Sequence, residues 1–280
     1  SHGATWRRLV STRLGISASL IDIVDADTGA IAEGLTTGGS RASQVLASVI
    51  ASTCDDIVDA ARDLAATLLE VAPADLVVAP EGYGQGAGLA VVGVPTKRLT
   101  WARAAAEATN RCLEAARHEP AGGEAHPFGA HVSIVEVDPE TGSVALVAHT
   151  AVDDCGVVLE PAVVEGQQHG GSVAGLAQAL FEHVSHDEAG NPETATFMSY
   201  RLPAAADVCA VDAHTMSTPT SRNPLGTRGI GENGCNGATA AAHNAVIDAL
   251  TPFGIEHIDL PLTPERVWRT IQAASSATIS

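Results

Sequence analysis

AHVSIVEVDPETGSVALVAHTAVDD, residues 130–154, holds two runs in which apolar and polar side chains alternate, joined by Asp138-Pro139-Glu140-Thr141-Gly142. Alternation at a period of two sends successive side chains to opposite faces, so each run reads as a strand with one half-buried face. The link has turn chemistry of its own, because Pro139 fixes φ and Gly142 tolerates a positive one. The stretch is therefore a β-hairpin. Around it the spacing is mostly helical, in Trp6 to Leu14, Ser43 to Glu70, Arg98 to His118, residues 160–184 from near Pro161, and GATAAAHNAVIDAL (237–250), which Thr251-Pro252 ends. A last helix opens in LTPERVWRTI (262–271), where Thr263 suits the N-cap and Pro264 the first helical position. Single strands are expected in ASLIDIVDAD (18–27) and ADLVVAP (74–80), with turn-rich EGYGQGAG (81–88) after the second. Hairpins and single strands mixed with helices, without a regular βαβα beat, indicate an α+β fold rather than a doubly wound sheet. The Pro- and Gly-rich EPAGGEAHPFGA (119–130) divides the chain into two mixed α/β lobes, 1–120 and 121–280.

The 280 residues are 45% apolar with mean hydropathy +0.15, enough to bury a sizeable core. Lys and Arg number 15 against 33 Asp and Glu, a formal charge of -18, which argues against nucleic acid and anionic membrane surfaces as partners. No apolar run is long enough to span a membrane, and the first residues carry no signal-peptide core, so the cytoplasm is the expected location. The five cysteines contain no CxxC pair, so neither a zinc site nor a disulfide framework is expected. Ser1 stands where a complete chain would carry Met, and the sequence reads as a fragment or a processed subunit.

RGIGENG (228–234) contains a literal G-x-G-x-x-G. A dinucleotide-binding turn needs a buried strand before it and an acidic residue about 20 positions on. Here PTSRNPLGTR (219–228) has two prolines and no apolar run, the following helix is expected from Gly237 or Ala238, and Asp248 lies mid-helix. An NAD-binding reading is disfavoured accordingly. Five glycines between 226 and 237 still imply that something approaches the backbone closely. Glu232 would suit a general base if shielded from water, since burial raises a carboxyl pKa. Composition alone favours a solvated loop glutamate, and spacing does not decide between the two.

Four motifs together carry a resemblance: TTGGSRA (36–42), VDDCG (152–156) with VEGQQHGG (164–171), NPLGTRGIGENG (223–234) and IDLPLTPERVW (258–268). They resemble the molybdenum-binding large subunit of the xanthine oxidase and aldehyde oxidase family, closest to the bacterial branch of aerobic carbon monoxide dehydrogenases and heterocycle hydroxylases. The resemblance runs in unbroken order through nearly the whole chain. It implies a molybdenum-dependent oxidoreductase that oxidises a small molecule with water-derived oxygen. Glu232 corresponds to the family's base, which takes a proton from the metal-bound hydroxyl, and metal coordination lowers that hydroxyl's pKa. Arg228, Gly229, Ile230 and Gly231 correspond to the cofactor-facing loop before it. Gly38, Gly39, Ser40, Arg41 and Ala42 resemble the pterin and phosphate loop, at a helix start where N–H groups favour anions. Without the other motifs, that loop reads as a simple helix cap. Asp154, Cys155 and Gly156 resemble a cofactor-contacting turn, and Gln167 the family's glutamine near the cofactor.

No histidine is assigned as a metal ligand, because in this family the pterin dithiolene holds molybdenum. The bacterial resemblance implies molybdopterin cytosine dinucleotide as the cofactor, with [2Fe-2S] clusters and FAD on partner subunits. The plant-type C-x₄-C-x₂-C spacing is absent here. Family large subunits are much longer, so an N-terminal half or a separate subunit is expected to complete the molybdenum site. The substrate stays open, and the competing reading is a cofactor-free domain for assembly or subunit contact.

Overall fold

In a computed structural model of the chain, residues 2–31, 34, 36–118 and 124–277 are described. The expected division after residue 120 falls in 119–123, outside them. The chain forms two compact units, one of residues 1–125, 157–163 and 219–227, the other of 126–156, 164–218 and 228–280.

In the first unit, α1 (His2–Leu14) and α2 (Ala42–Leu69) accompany an antiparallel sheet of β1 (Leu76–Ala79), β2 (Gly88–Val91) and β3 (Val94–Thr100), with α3 (Trp101–Glu107) after it. One stripe of α2 is buried: Ala47, Ala51, Cys54, Val58, Ala61 and Ala65 recur at intervals of three and four, one face of a helix. Its N-terminal alanines pack on Trp6 and Leu9 of α1, and its C-terminal half packs on Leu76, Leu89 and Leu99 of the sheet.

Two sequence expectations fail in this unit. Residues 18–27 form no strand: Ala18–Leu20 is a 3-10 turn, the Ile21 carbonyl accepts Arg7 Nε at 3.0 Å, and Ile23 packs on the Trp6 cluster. The alternation is satisfied by packing along α1 rather than by strand pairing. The expected helix 98–118 shrinks to α3, because Leu99 pairs with Leu89 in the sheet and Asn110 and Arg111 take left-handed conformations, with φ of 58° and 55°. Thr100 caps α3 by accepting Arg103 N–H.

The second unit is built on the hairpin expected from the sequence, β4 (Phe128–Val137) and β5 (Val144–Asp154), and Gly142 takes φ of 72° in the turn. β6 (Val211–Met216) pairs parallel to β5. A parallel pair needs a long crossover, and α4 (Pro161–Leu180) lies within it. α5 (Asn233–Leu250) and α6 (Pro264–Ala277) complete the unit, and Thr263 caps α6 through Arg266 N–H as expected. Leu176 and Leu180 of α4, Val246 and Leu250 of α5, and Val267 and Ile271 of α6 form the core, with Val135, Val137, Val144 and Leu146 of the hairpin against it. The observed fold is α+β.

α5 begins at Asn233, not near Gly237 as the glycines suggested. Gly234 is helical because α4 passes so close that a Cβ there would sit 2.6 Å from Ser172 N. Gly175 reciprocates, where a Cβ would lie 2.4 Å from the Cys235 carbonyl oxygen. These glycines allow backbone-to-backbone helix packing, so part of the glycine density read as clearance for a ligand serves the fold.

Candidate functional site

In the first unit, the 38–42 segment leads directly into the 28-residue α2. Gly39 and Ser40 have φ of 58° and 52°, and Arg41 at the N-cap returns to the right-handed region. A left-handed residue followed by a right-handed one turns successive N–H groups to one side, the concave arrangement that receives anions. The N-cap position falls on Arg41, whose side chain makes no capping hydrogen bond. A non-glycine residue held at positive φ costs about 1–3 kcal/mol, a strain that clusters at ligand sites. Arg41 Nε and backbone N both reach the Gly38 carbonyl at 3.4 Å, which closes the loop on itself.

In the second unit, β5 ends at Asp154, and the chain turns at Cys155 and Gly156, where φ is 67°. Asp154 is 1% exposed. Its Oδ1 accepts Gly156 N–H at 2.8 Å and Thr218 N–H at 3.1 Å, whereas its Oδ2, also buried, has no hydrogen-bond partner among the described residues. Burial raises the Asp154 pKa, but the Thr218 and Gly156 donors and the Arg228 charge outweigh it and hold the carboxyl below the usual range. Beside it, burial and then the Asp154 charge push the Cys155 thiol up to about 11, so Cys155 is a packed thiol and not a nucleophile.

Arg228 ties the glycine loop to this turn. Its N–H donates to the Cys155 carbonyl at 2.6 Å, its Nη1 to the His126 carbonyl at 2.7 Å, and its guanidinium lies 5.5 Å from the centre of the Phe128 ring. Residues 154–156 and 228–231, picked from separate motifs, are thus brought together. Gly229 is buried, Ile230 half-buried and Gly231 exposed. Glu232 occupies the N-cap position of α5 and is exposed, so the shielding a general base asks for is not supplied around it by the described residues. Gln167 lies in the second turn of α4 and is half-buried.

The neighbouring Gln168 was missed. It is 1% exposed and donates to Asp153 Oδ2 at 3.1 Å and the His214 carbonyl at 2.8 Å, and it accepts from Thr215 Oγ1 at 2.9 Å. Asp153 also meets His131 Nε2 at 3.3 Å, and His131 Nδ1 meets His149 Nε2 at 3.2 Å. Pattern reading could not pair histidines on two strands. Their register, His131 two positions from Ser133 and Ser133 opposite His149, was the one available signal.

Burial, and next the His131 charge, drop the His149 pKa from 6.5 to about 4, against the opposing pull of Asp153. The unfolded chain takes up this proton near 6.5 and the folded one refuses it until about 4, so the contribution is complete above 6.5 and is lost as pH falls through that window. The loss is on the order of 3 kcal/mol. Thermal unfolding from pH 7 to 4 is expected to show a midpoint that falls in the wild type and falls much less in His149→Gln; parallel curves would contradict this.

A family model described as "Molybdopterin cofactor-binding domain" matches residues 1–209. The carbon monoxide dehydrogenase large chain of Hydrogenophaga pseudoflava is 32% identical over 278 residues, covering 97% of this chain and 34% of that protein. The nicotine 6-hydroxylase large subunit of Paenarthrobacter nicotinovorans is 35% identical over 279 residues, covering 96% and 33%. Reconstituted CO dehydrogenase from Oligotropha carboxidovorans superposes with a TM-score of 0.87 at 31% identity, over 99% of this chain and 34% of that one. The chain thus spans about a third of the length of these relatives.

Proposed function

The chain belongs to the molybdopterin cofactor-binding domain family, and on that premise we propose that it holds the pterin of a molybdenum-dependent oxidoreductase and presents Glu232 as the base at the metal centre, where a small substrate is oxidised. The observation that carries this reading is the Asp154 carboxylate, buried with Oδ2 unmatched. A buried acceptor left without a donor costs roughly 1–3 kcal/mol or more when charged, and a pterin ring offers N–H donors of the kind it lacks. The residues present therefore fit the group. Asp154, Gly156 and the Arg228 to Gly231 loop would hold the pterin in the second unit, and the N–H groups of 39–42 would receive a phosphate in the first.

When bound, molybdenum supplies Lewis-acid activation of water and accepts the electrons taken from the substrate. Arg228 orients the loop through its bonds to Cys155 and His126, and its charge favours an anionic ligand. Glu232 takes up a proton at a carboxylate oxygen, and the water exclusion it needs comes from outside this chain. We further propose cytosine dinucleotide as the pterin form, and iron-sulfur and flavin partner subunits as the route for electrons.

The test is pterin retention. Asp154→Ala, made in the complete enzyme, is expected to lower the pterin recovered as fluorescent oxidised product at least about tenfold, the loss a buried charge-assisted hydrogen bond predicts. Undiminished pterin in a correctly folded D154A enzyme would remove Asp154 from the site, and a wild-type enzyme without pterin would favour the cofactor-free reading.

A further inference from the structure

The carboxylate next to Asp154 faces the other way and has no part in the site above. Asp153 is 1% exposed, and donors from three elements converge on it: His131 Nε2 of β4 at 3.3 Å, Gln168 Nε2 of α4 at 3.1 Å and Asn233 Nδ2 of α5 at 3.2 Å. Asn233 is the first residue of α5 and follows Glu232 directly. Its Nδ2 also reaches the Phe128 carbonyl at 3.5 Å.

Behind His131 the network continues to His149 Nε2 at 3.2 Å, and from His149 Nδ1 to Ser133 Oγ at 2.9 Å. The carboxylate end fixes one proton of this chain. A carboxylate only accepts, so His131 must donate from Nε2. If His131 is neutral it accepts at Nδ1, His149 donates from Nε2 and accepts at Nδ1, and the Ser133 hydroxyl donates; if His131 is protonated it donates from Nδ1 as well, and His149 accepts at Nε2 and donates from Nδ1 to Ser133. One arrangement satisfies every bond with both rings neutral, and the depressed His149 pKa keeps that ring neutral near pH 7. The same His131 ring blocks α5 sterically, since a Cβ on Gly237 would lie 2.5 Å from it. The first two turns of α5 are thus fixed by a hydrogen bond at Asn233 and by ring contact at Gly237.

We propose that Asp153 is a positioning residue, oriented by the Ser133–His149–His131 chain and by Gln168, which through Asn233 fixes the first turn of α5 and with it the direction in which Glu232 is presented. The catalytic consequence rests on the Glu232 reading, but the geometric one does not. A buried ion with this many partners is a poor source of stability, since an apolar set of equal volume often serves as well, whereas it fixes geometry closely.

The test compares Asn233→Ala with Val246→Ala, a core truncation in the same helix outside the network, by amide hydrogen exchange in the complete enzyme. In N233A, residues 230–236 are expected to exchange at least about tenfold faster while 242–250 stay at wild-type rates. In V246A the increase should centre on 242–250. Molybdenum content should hold in N233A, with kcat reduced about tenfold and KM unchanged. Exchange at 230–236 no faster in N233A than in V246A would overturn the proposal, even if Glu232→Gln abolishes turnover. Selective loosening of 230–236 together with full turnover in E232Q would keep the positioning role and discard the base.

Discussion

Glu232→Gln in the complete enzyme is expected to keep its pterin and molybdenum while losing turnover by about 10²–10⁴-fold, the range a positioned general base contributes. Gln keeps the size of the side chain and its place at the start of α5 and removes its negative charge, and with it the ability to take a proton. The substitution should therefore leave the fold alone: the residue is exposed and caps no N–H of the helix with its side chain. If the loss lies in the chemical step, kcat and kcat/KM fall together. Activity within a few-fold of wild type would end the assignment. Loss of molybdenum along with activity would instead make Glu232 part of the cofactor's hold.

Gly234→Ala is the change expected to damage the fold most. The added Cβ would stand 2.6 Å from Ser172 N, 2.8 Å from the Gly171 carbonyl carbon and 2.9 Å from the Gln168 carbonyl oxygen. All three are backbone atoms of α4, which cannot rotate away as a side-chain tip could. Moving α4 would disturb Leu176 and Leu180 in the core and Gln168 beneath Asp153. The cost is expected at about 3 kcal/mol or more, an overpacking penalty at the upper end of the usual range. That lowers the unfolding midpoint by roughly 6–12 °C for a protein of this size. Gly170→Ala is the internal control, on α4, the helix that Gly234 of α5 abuts, with open space around the new Cβ, where a helical alanine adds about 0.5–1 kcal/mol of stability over glycine. Equal midpoints for the two variants would contradict the close α4–α5 contact.

These two residues also show what the sequence could tell. The hairpin was legible because its information is local: alternation on each side of Asp138–Gly142 and a turn whose residues fix their own φ. The cap of α6 at Thr263 was legible for the same reason. β6 was not, since Asp212 and His214 give it no apolar run, and its partner β5 lies across a long crossover. Gly234 was assigned to a loop because glycine at that density usually means one, whereas the neighbouring α4 backbone accounts for it, and the His131 ring accounts for Gly237.

The candidate site divides in the same way. Motif resemblance picked out Asp154, Cys155 and Arg228, and the fold joins their segments through the Arg228 to Cys155 bond. The same reading chose Gln167 over Gln168, which differ by 100° around α4, and only the position of Asp153 shows which one is buried in the network. His131 and His149 belong to no motif, and Asp153 was passed over inside VDDCG, because their relation is a register between strands and not a spacing along the chain.

The central claim, that this chain holds a molybdopterin, is tested most directly by the metal and pterin content of the natural complex purified from cells supplied with molybdate. Roughly one molybdenum and one pterin per copy of this chain is the expected result. Intact, correctly folded complex containing neither would contradict the account and leave the domain a role in assembly alone.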